Sequence, residues 1–380
     1  MHRVGIDGRC LFSGQRTGVT RVLWNLLDHL FREEHGIDFL LYLSDHQASA
    51  RLPEVWRGVR KRVLPSRFLS QKRLWENLVL PPALRGDSID VFVSPNYVLP
   101  LGISTASILF IYDISYAVHP EWFPSLRSSY VRFLSGRGAK RATRIVTISD
   151  FCREEIRRHY GVPAEKIERI YCASDPRFFE KVPEEEIRRV RRKYAIDGEY
   201  ILYVGSLHPR RQIPELLAAV AGSGREGALD RTLVLVGHNN YCPRISISEL
   251  IRKGGAQSAA TYLDFVPEED LLPLYAGCDI VAYISRYEGF GLPVVEGMAC
   301  GKPVVTSNNG ALREVAGDGA VLVDPTNVAE IRGAFQRLIN DRTYYEEIRR
   351  KGFQRCQEFS WAKSADGFLA IIREVLREES

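Results

Sequence analysis

Residues 287–301 read Tyr287-Glu288-Gly289-Phe290-Gly291-Leu292-Pro293-Val294-Val295-Glu296-Gly297-Met298-Ala299-Cys300-Gly301. The stretch follows one strand-like apolar run, residues 279–284, and precedes another, residues 303–306. It therefore predicts a strand, a glycine-rich loop, a helix and a second strand. Pro293 suits the first turn of that helix, where its missing N–H leaves no hydrogen bond unmade. This β-loop-α-β unit indicates an α/β protein with a parallel sheet.

The same loop and helix carry several groups that can bind a ligand. Gly289 and Gly291 allow the backbone to approach a ligand closely, and the helix N-terminus offers N–H groups to an anion. Glu288 precedes the helix and Glu296 lies about one turn inside it, and carboxylates accept hydrogen bonds from sugar hydroxyls. One acid for a hexose, one for a ribose and a helix end for a diphosphate describe a nucleotide-sugar site.

Similar patterns recur on both sides of this stretch. Strands are predicted at residues 3–7, 39–43, 91–94, 107–112 and 144–148, and then at 200–204, 232–236, 260–263, 279–284, 303–306 and 320–323. Amphipathic helices are predicted between them, at 21–32, 127–142, 150–160, 214–220, 268–276, 292–299, 328–340, 344–356 and 361–379. The segment 176–194 is polar and helix-prone, and it is the predicted linker. Two Rossmann-like domains with a ligand cleft between them follow from this order.

Length and composition agree with a multidomain globular protein. A chain of 380 residues predicts two to three domains, and 45% hydrophobic with 26% charged residues is typical of soluble proteins. No apolar run approaches the roughly 20 residues of a spanning helix, and the N-terminus lacks the signal-peptide pattern. Seven scattered cysteines without a C-x-x-C pair favour a reducing cytosol over disulfides or a zinc site. We therefore expect a cytoplasmic protein without a metal or a bound cofactor.

The charge is uneven. The net charge is +5, yet between Arg51 and Arg73 lie six further basic residues against one acid, Glu54: Arg57, Arg60, Lys61, Arg62, Arg67 and Lys72. A solvated surface is one interpretation. The other is a peripheral contact with anionic lipid at the inner face of the membrane, or with an anionic acceptor, anchored by Trp56, Phe68 and Leu69. No nucleic-acid-binding motif accompanies the charge, so nucleic acid is not an expected partner.

With these residues the sequence resembles glycosyltransferase family 4, retaining enzymes of the GT-B fold. The family signature is two glutamates with seven residues between them around Gly-Phe-Gly-Leu-Pro, here Glu288 and Glu296. Five further motifs match in order: Arg16-Thr17-Gly18-Val19, Ser94-Pro95-Asn96, Asp113 through His119-Pro120-Glu121, Thr147-Ile148-Ser149, and Val204-Gly205 with Pro209-Arg210-Arg211. Alone, a glycine-rich turn with two acids would also fit a structural turn or a dinucleotide site.

The resemblance implies a GT-B architecture, with two Rossmann-like domains facing each other across a cleft. Residues 1–180 would form the acceptor-side domain, residues 181–360 the donor domain, and helix 361–380 would pack back on the first. Glu288 would bind the transferred sugar and Glu296 the ribose, and Arg211 would replace a phosphate-binding lysine. The implied donor-binding set is Gly18, Gly205, Ser206, Arg210, Arg211, Phe265, Val266, Glu288, Gly289, Phe290, Gly291, Leu292 and Glu296. The implied catalytic set is Glu288, Arg211, Asp113 and His119. A solvated helix start is the alternative interpretation of the two arginines.

Three positions depart from the family pattern. Ser206 stands where many members have arginine, and the branch with small residues there often uses GDP-mannose. Tyr112 stands where the family has a histidine before Asp113, and His119 is either its substitute or a structural histidine. Asp264 stands where the family has glycine near the base, which Phe265 and Val266 would flank.

The expected activity is transfer of a hexose, with mannose favoured, from a nucleotide-diphosphate sugar to a saccharide or lipid-linked glycan. The chain has no Asp-x-Asp, so arginines and the helix end would stabilise the leaving diphosphate without a metal. Three alternatives stay open: a transferase that uses a UDP-sugar, a phosphorylase or epimerase on the same fold, and a catalytically silent nucleotide-sugar-binding protein.

Overall fold

The chain forms two compact units. The structure, a computed structural model, describes residues 1–12, 18–44, 53–56, 58–64, 74–221 and 229–378. The first unit comprises Met1–Pro120, Ser125–Cys172 and Ser360–Ser380, and the second comprises Glu121–Pro124 and Ala173–Phe359. The division therefore falls before the predicted boundary at residue 180, and the short segment 121–124 belongs to the second unit.

Each unit contains one parallel sheet. In the first, the described strands are β1 Arg3–Asp7, β2 Asp38–Leu43, β3 Arg60–Val63, β4 Val91–Ser94, β5 Ala106–Phe110, β6 Arg144–Thr147 and β7 Ile167–Arg169, ordered β3-β2-β1-β4-β5-β6-β7. In the second they are β8 Tyr200–Val204, β9 Thr232–Val236, β10 Ala260–Leu263, β11 Ile280–Tyr283, β12 Val304–Ser307 and β13 Val321–Val323, ordered β10-β9-β8-β11-β12-β13. The predicted α/β class with parallel sheets is confirmed.

Helices connect the strands in both units. They are α1 Gly18–Leu30, α2 Leu80–Gly86, α3 Ser115–Val118, α4 Ser125–Arg141, α5 Asp150–Tyr160, α6 Glu184–Lys193, α7 Ile213–Ala221, α8 Ile247–Lys253, α9 Glu268–Gly277, α10 Leu292–Ala299, α11 Gly310–Ala316, α12 Val328–Asn340, α13 Arg342–Cys356 and α14 Trp361–Glu378. A π-helical turn, Trp75–Val79, precedes α2, and short 3-10 turns include Pro120–Trp122 and Pro209–Arg211. Ser149 caps α5 by accepting a hydrogen bond from the Cys152 N–H.

The last helix, α14, belongs to the first unit and packs against α1. The Phe368 ring lies 5.2 Å from the ring of Phe110 on β5, centroid to centroid. The Ser364 hydroxyl donates to the carbonyl oxygen of Tyr171 at 2.6 Å. An aromatic contact of this kind stabilises by about 0.5–1.5 kcal/mol beyond its buried area, so α14 is part of the first core.

The predicted linker, residues 176–194, lies within the second unit, and its helix-prone sequence forms α6, Glu184–Lys193. This helix packs on α9 around the fully buried carboxylate of Asp270. Arg189 and Tyr194 donate to that carboxylate at 2.8 and 2.7 Å, and Lys193 pairs with it. A buried carboxylate needs such partners, so the polar segment is explained by an ion cluster and not by a flexible connection.

The basic segment 51–73 is described only at residues 53–56 and 58–64. The prediction that Trp56 is a membrane anchor is wrong, because its side chain is 0% exposed and its ring lies 4.9 Å from that of Trp24. Arg60 and Arg62 lie on β3 and pair with Asp38 and Asp87 at 2.6 and 2.7 Å. The other predicted members, Arg57, Arg67, Phe68, Leu69 and Lys72, lie outside the described residues.

Candidate functional site

Two loops of the second unit meet where its strand order reverses. The loop after β8, residues 205–211, and the loop after β11, residues 284–291, leave the carboxyl ends of neighbouring strands. The chain turns to opposite sides of the sheet after these two strands, and ligands of open α/β sheets bind at such a switch point. The Arg286 N–H donates to the Arg210 carbonyl oxygen at 2.8 Å, which holds the two loops together.

A buried acid–arginine cluster joins these loops. Glu288 is 7% exposed, and its Oε1 lies 2.7 Å from Arg211 Nε and 3.5 Å from Arg210 Nε. The Ser285 hydroxyl also donates to Oε1 at 3.0 Å. These three contacts use one oxygen of Glu288, Oε1, and its Oε2 can accept a hydrogen bond from another donor. A buried carboxylate is stable only with such pairing, so the structure brings together Glu288, Arg210 and Arg211 as a unit.

Aromatic rings fix the orientation of Arg211. Its guanidinium carbon lies 4.7 Å from the centroid of the Tyr283 ring, and its Nη1 donates to the Tyr283 hydroxyl. The Tyr203 ring stacks on that of Tyr283, 5.9 Å away, and the Tyr203 hydroxyl donates to the Ser206 carbonyl oxygen at 3.2 Å. The guanidinium is thus held by a cation–π contact and by two polar contacts.

The backbone at the arginine turn is crowded. A Cβ atom on Gly237, which follows β9 and has a φ of +140°, would lie 2.2 Å from the Gly205 carbonyl oxygen. A side chain is therefore excluded at Gly237, and the ends of β8 and β9 are in contact. A Cβ on Gly205 would lie 3.1 Å from Arg211 Nη1, so the lack of a side chain at Gly205 leaves room for the guanidinium.

The N-terminus of α10 faces the same loop region without a side-chain cap. Gly291 precedes the helix with a φ of +98°, and a Cβ there would lie 2.5 Å from Leu312 Cδ2. Pro293 lies in the first turn, and Gly289 and Phe290 are buried in the loop. The Phe290 ring contacts that of Phe359 edge-on at 5.5 Å. Backbone N–H groups at such a helix end favour an anion.

Glu296 has a different environment from Glu288. Its side chain is 0% exposed in the second turn of α10, and its Oε2 accepts a hydrogen bond from the Tyr275 hydroxyl at 2.8 Å. The Tyr275 ring packs edge-on against Phe178 at 5.2 Å. The second glutamate of the motif is therefore already hydrogen-bonded within the protein.

Phe265 and Val266 follow β10 in the same unit. The Phe265 side chain is 66% exposed, and its ring is nearly parallel to that of His238, with 6.0 Å between centroids and 17° between planes. Val266 is half-buried. An exposed aromatic ring held by a second ring is a surface on which another flat ring can stack.

The remaining predicted residues belong to the first unit. Asp113 accepts hydrogen bonds from the Ser115 N–H at 2.8 Å and the Ser115 hydroxyl at 2.6 Å, which ties it to the first residue of α3. His119 ends the same helix, and its N–H donates to the Ser115 carbonyl oxygen. Tyr112 is buried, which raises the pKa of its phenol well above the ordinary value, and its hydroxyl has no hydrogen-bond partner among the described residues. Gly18 begins α1 and is exposed.

Two aromatic residues that the sequence did not single out contribute to the second unit. Trp122 and Phe123 come from the short segment 121–124. The Phe123 ring lies 5.2 Å from the His208 ring, and the Arg286 guanidinium lies 5.5 Å from the Trp122 ring centroid. His208 and Arg286 flank the arginine turn, so the pair braces it. The signal in the sequence was an aromatic pair directly after the matched His119-Pro120-Glu121.

Within the residues that the structure describes, no cluster of three or more His, Cys, Asp or Glu side chains is arranged to hold a metal ion. Over the same residues, no helix is both long and apolar enough to cross a membrane.

Sequence models of two protein families match the chain. One, described as Glycosyltransferase Family 4, matches residues 16–178, and the other, Glycosyl transferases group 1, matches residues 185–355. O-antigen chain mannosyltransferase B of Escherichia coli is 34% identical over 282 residues, which are 73% of this chain and 73% of that protein. The serotype-specific mannosyltransferase WbdA of Escherichia coli is 27% identical over 256 residues, which are 66% of this chain but 31% of that protein.

Among solved structures, Anabaena HepE in complex with UDP-glucose superposes with a TM-score of 0.76. The superposition covers 98% of this chain and 100% of that chain at 19% identity. At this identity the likeness shows a common fold, and the sequence relatives carry the family assignment.

Proposed function

We propose that this chain, which belongs to glycosyltransferase family 4 and is a hexosyltransferase of the GT-B fold, transfers mannose from GDP-mannose with retention of configuration. The acceptor in this proposal is a saccharide or a lipid-linked glycan. The observation that carries the proposal is the buried Arg211–Glu288 pair, which lies at the strand-order switch point of the second unit.

The arginine turn suits a leaving diphosphate. Two arginines against one glutamate leave one net positive charge in the cluster. The contacts of Arg211 to Glu288 and Tyr283 use Nε and Nη1, and a guanidinium has five N–H donors, so donors are left for phosphate oxygens. Cations and helix N–H groups placed where charge develops lower the barrier to departure of the nucleoside diphosphate.

Glu288 suits the transferred sugar. Its Oε1 is held by Arg211 and Ser285, which fixes the carboxylate, while Oε2 can accept a sugar hydroxyl. A carboxylate in a fixed position orients the sugar relative to the leaving group, and this orientation lowers the activation barrier to transfer. Glu296 is assigned to the ribose hydroxyls. Its hydrogen bond from Tyr275 makes a bracing role the competing assignment.

The choice of mannose is supported by the name of the relative that is 34% identical, an O-antigen chain mannosyltransferase. The second candidate donor is a UDP-sugar, because the structural neighbour HepE is complexed with UDP-glucose. The third candidate, a catalytically silent nucleotide-sugar-binding protein, is favoured by Tyr112 in place of the family histidine and by Ser206 in place of arginine.

We further propose that the reaction proceeds without a divalent metal, in the cytoplasm, with residues 51–73 as a peripheral membrane contact near a lipid-linked acceptor. The charge of that segment supports the contact, although Arg60 and Arg62 already pair with Asp38 and Asp87. Asp113 and His119 are assigned to the acceptor side. Because Asp113 contacts the start of α3 and His119 follows its end, a structural role for both is the competing assignment.

The test is a product assay with separate donors. The chain is incubated with GDP-mannose or UDP-glucose and with mannose-terminated oligosaccharides, and extended glycans are detected by mass spectrometry. The proposal predicts extension from GDP-mannose alone. Extension from UDP-glucose alone would replace the donor assignment, and nucleotide-sugar binding without any product would favour the silent binding protein.

A further inference from the structure

An ionised carboxylate lies beside the exposed ring at the end of β10. Asp264 directly precedes Phe265, and its side chain is 59% exposed. The Tyr262 hydroxyl donates to its Oδ1 at 2.6 Å, and His238 Nδ1 lies 3.4 Å from its Oδ2. The hydrogen bond from Tyr262 lowers the pKa of Asp264; slight burial opposes the effect and the contact with His238 adds to it. The side chain is therefore a carboxylate at neutral pH.

Phe265 and His238 lie at matching positions just beyond the ends of two neighbouring strands, β10 and β9. Strands β9 and β10 pair in register from Leu233 and Ala260, and the Gly237 N–H donates to the Leu263 carbonyl oxygen at 2.9 Å. The same register, continued beyond the strand ends, places Gly237 opposite Asp264 and His238 opposite Phe265. Two near-parallel rings and one carboxylate thus lie together at the carboxyl edge of the sheet.

This edge is continuous with the arginine turn. The Leu207 N–H donates to the His238 carbonyl oxygen at 2.8 Å, and Gly237 contacts Gly205. Neighbouring strands lie about 4.8 Å apart, so the ends of β10 and β8 are about 10 Å apart. A nucleoside diphosphate with its phosphates at Arg211 can reach across this distance through its ribose and place its base near Phe265.

The chemistry of the edge distinguishes among bases. Guanine presents two neighbouring donors, its ring N1–H and its exocyclic amino group, and a carboxylate accepts such a pair with its two oxygens. Uracil presents one N–H between two carbonyl oxygens, which a carboxylate repels. A carboxylate has about four lone-pair sites, of which Tyr262, the backbone of Asn239 and the 3.4 Å contact of His238 use up to three, so acceptor capacity is left for a base.

We propose that Asp264 is the residue that selects guanine over uracil, by accepting hydrogen bonds from the base edge while the ring stacks on Phe265. This inference rests on the proposed function, in which a nucleotide sugar binds the second unit.

The experiment measures the affinities of GDP, IDP and UDP by calorimetry for the full chain and for three variants. IDP retains the N1–H but lacks the amino group of guanine. We expect wild type to bind GDP most tightly, IDP less tightly and UDP least. Asp264→Asn should weaken GDP by about 10- to 150-fold, the range for a lost charge-assisted hydrogen bond, and bring GDP and UDP closer together. Phe265→Leu should weaken the binding of GDP, IDP and UDP by the same factor.

Glu269→Gln is the control, because it removes an exposed negative charge in the first turn of α9, close in sequence to Asp264. It should leave all three affinities unchanged. A GDP-to-UDP affinity ratio that is near one in wild type, or that Asp264→Asn does not alter, would overturn the inference while leaving a nucleotide site in place. Absence of any nucleoside diphosphate binding would overturn the proposed function as well.

Discussion

Removal of charge from Glu288 and from Glu296 should have separable effects. Glu288→Gln keeps the side-chain shape but leaves Arg210 and Arg211 without their carboxylate partner. The net charge of the cluster rises from one positive (two arginines, one glutamate) to two. Affinity for free GDP should therefore stay the same or increase. Turnover should fall, because orientation of the sugar matters most at the transition state.

The stability cost can be worked from the geometry. The Ser285 hydroxyl donates to the buried Glu288 carboxylate at 3.0 Å, beside the 2.7 Å ion pair with Arg211, and a hydrogen bond to a charged group contributes about 1.5–3 kcal/mol. In a domain of the size of the second unit, each kcal/mol shifts Tm by about 2–4 °C. Glu288→Gln without ligand should therefore melt about 3–12 °C below wild type.

Glu296→Gln should behave differently if Glu296 binds the ribose. Every donor and product nucleotide carries the ribose, so this variant should weaken GDP and GDP-mannose alike, by about 10- to 150-fold. The assay combines calorimetric titration of GDP with single-turnover rates for both variants and for the Glu269→Gln control. Equal weakening of GDP by Glu288→Gln and Glu296→Gln would refute the assignment. If Glu296→Gln loses thermal stability but not GDP affinity, Glu296 has a structural role through its hydrogen bond with Tyr275.

Four further predictions follow from the charges and contacts described. Turnover should persist in EDTA, since arginines stand at the phosphate site, and a complete loss that magnesium reverses would contradict this. Burial opposes ionisation of Asp270, but hydrogen bonds from its partners lower its pKa to about 2. Ionised Asp270 therefore contributes up to roughly 2 kcal/mol to the free energy of unfolding. This contribution is present above the unfolded pKa of about 3.9 and is lost as pH falls towards 2. Urea unfolding should show the gap between wild type and Asp270→Asn shrinking from about pH 5 to about pH 3, and a constant gap would refute the coupling. Phe123→Leu should raise the donor KM by roughly 2- to 13-fold with a smaller change in kcat, whereas Phe133→Leu, at an exposed position on α4, should not. Co-sedimentation with vesicles should increase with anionic lipid and decrease with salt, and indifference to both would exclude docking through residues 51–73.

Most strands could be predicted because their apolar runs are unambiguous. The predicted strands 3–7, 91–94, 200–204, 232–236 and 260–263 match the structure to the residue. Strand β3, Arg60–Val63, was missed because its sequence is Arg-Lys-Arg-Val and its first three side chains are exposed. It is an edge strand, and charges on an edge prevent pairing with another chain. Local hydrophobic pattern carries no signal for such a strand.

The candidate site was predictable as a set of segments but not as a set of contacts. The motif places Glu288 in a loop, yet its pairing with Arg211 joins positions that are far apart in sequence. The burial of Glu296 depends on Tyr275 from a different helix, and the brace from Trp122 and Phe123 depends on a segment outside the second unit's main range. Long-range packing of this kind leaves no periodic pattern in a single sequence.

The most direct test of the account is the single-turnover rate of the Arg211→Gln variant with GDP-mannose. Arg313→Gln is the matched control, because Arg313 is an exposed arginine on α11 of the same unit. If the Arg211–Glu288 cluster stabilises the departing diphosphate, Arg211→Gln should slow transfer by about 100- to 1,000-fold, while the control stays at the wild-type rate. Transfer by Arg211→Gln at the wild-type rate, in a variant that folds and binds GDP, would contradict the placement of the catalytic site.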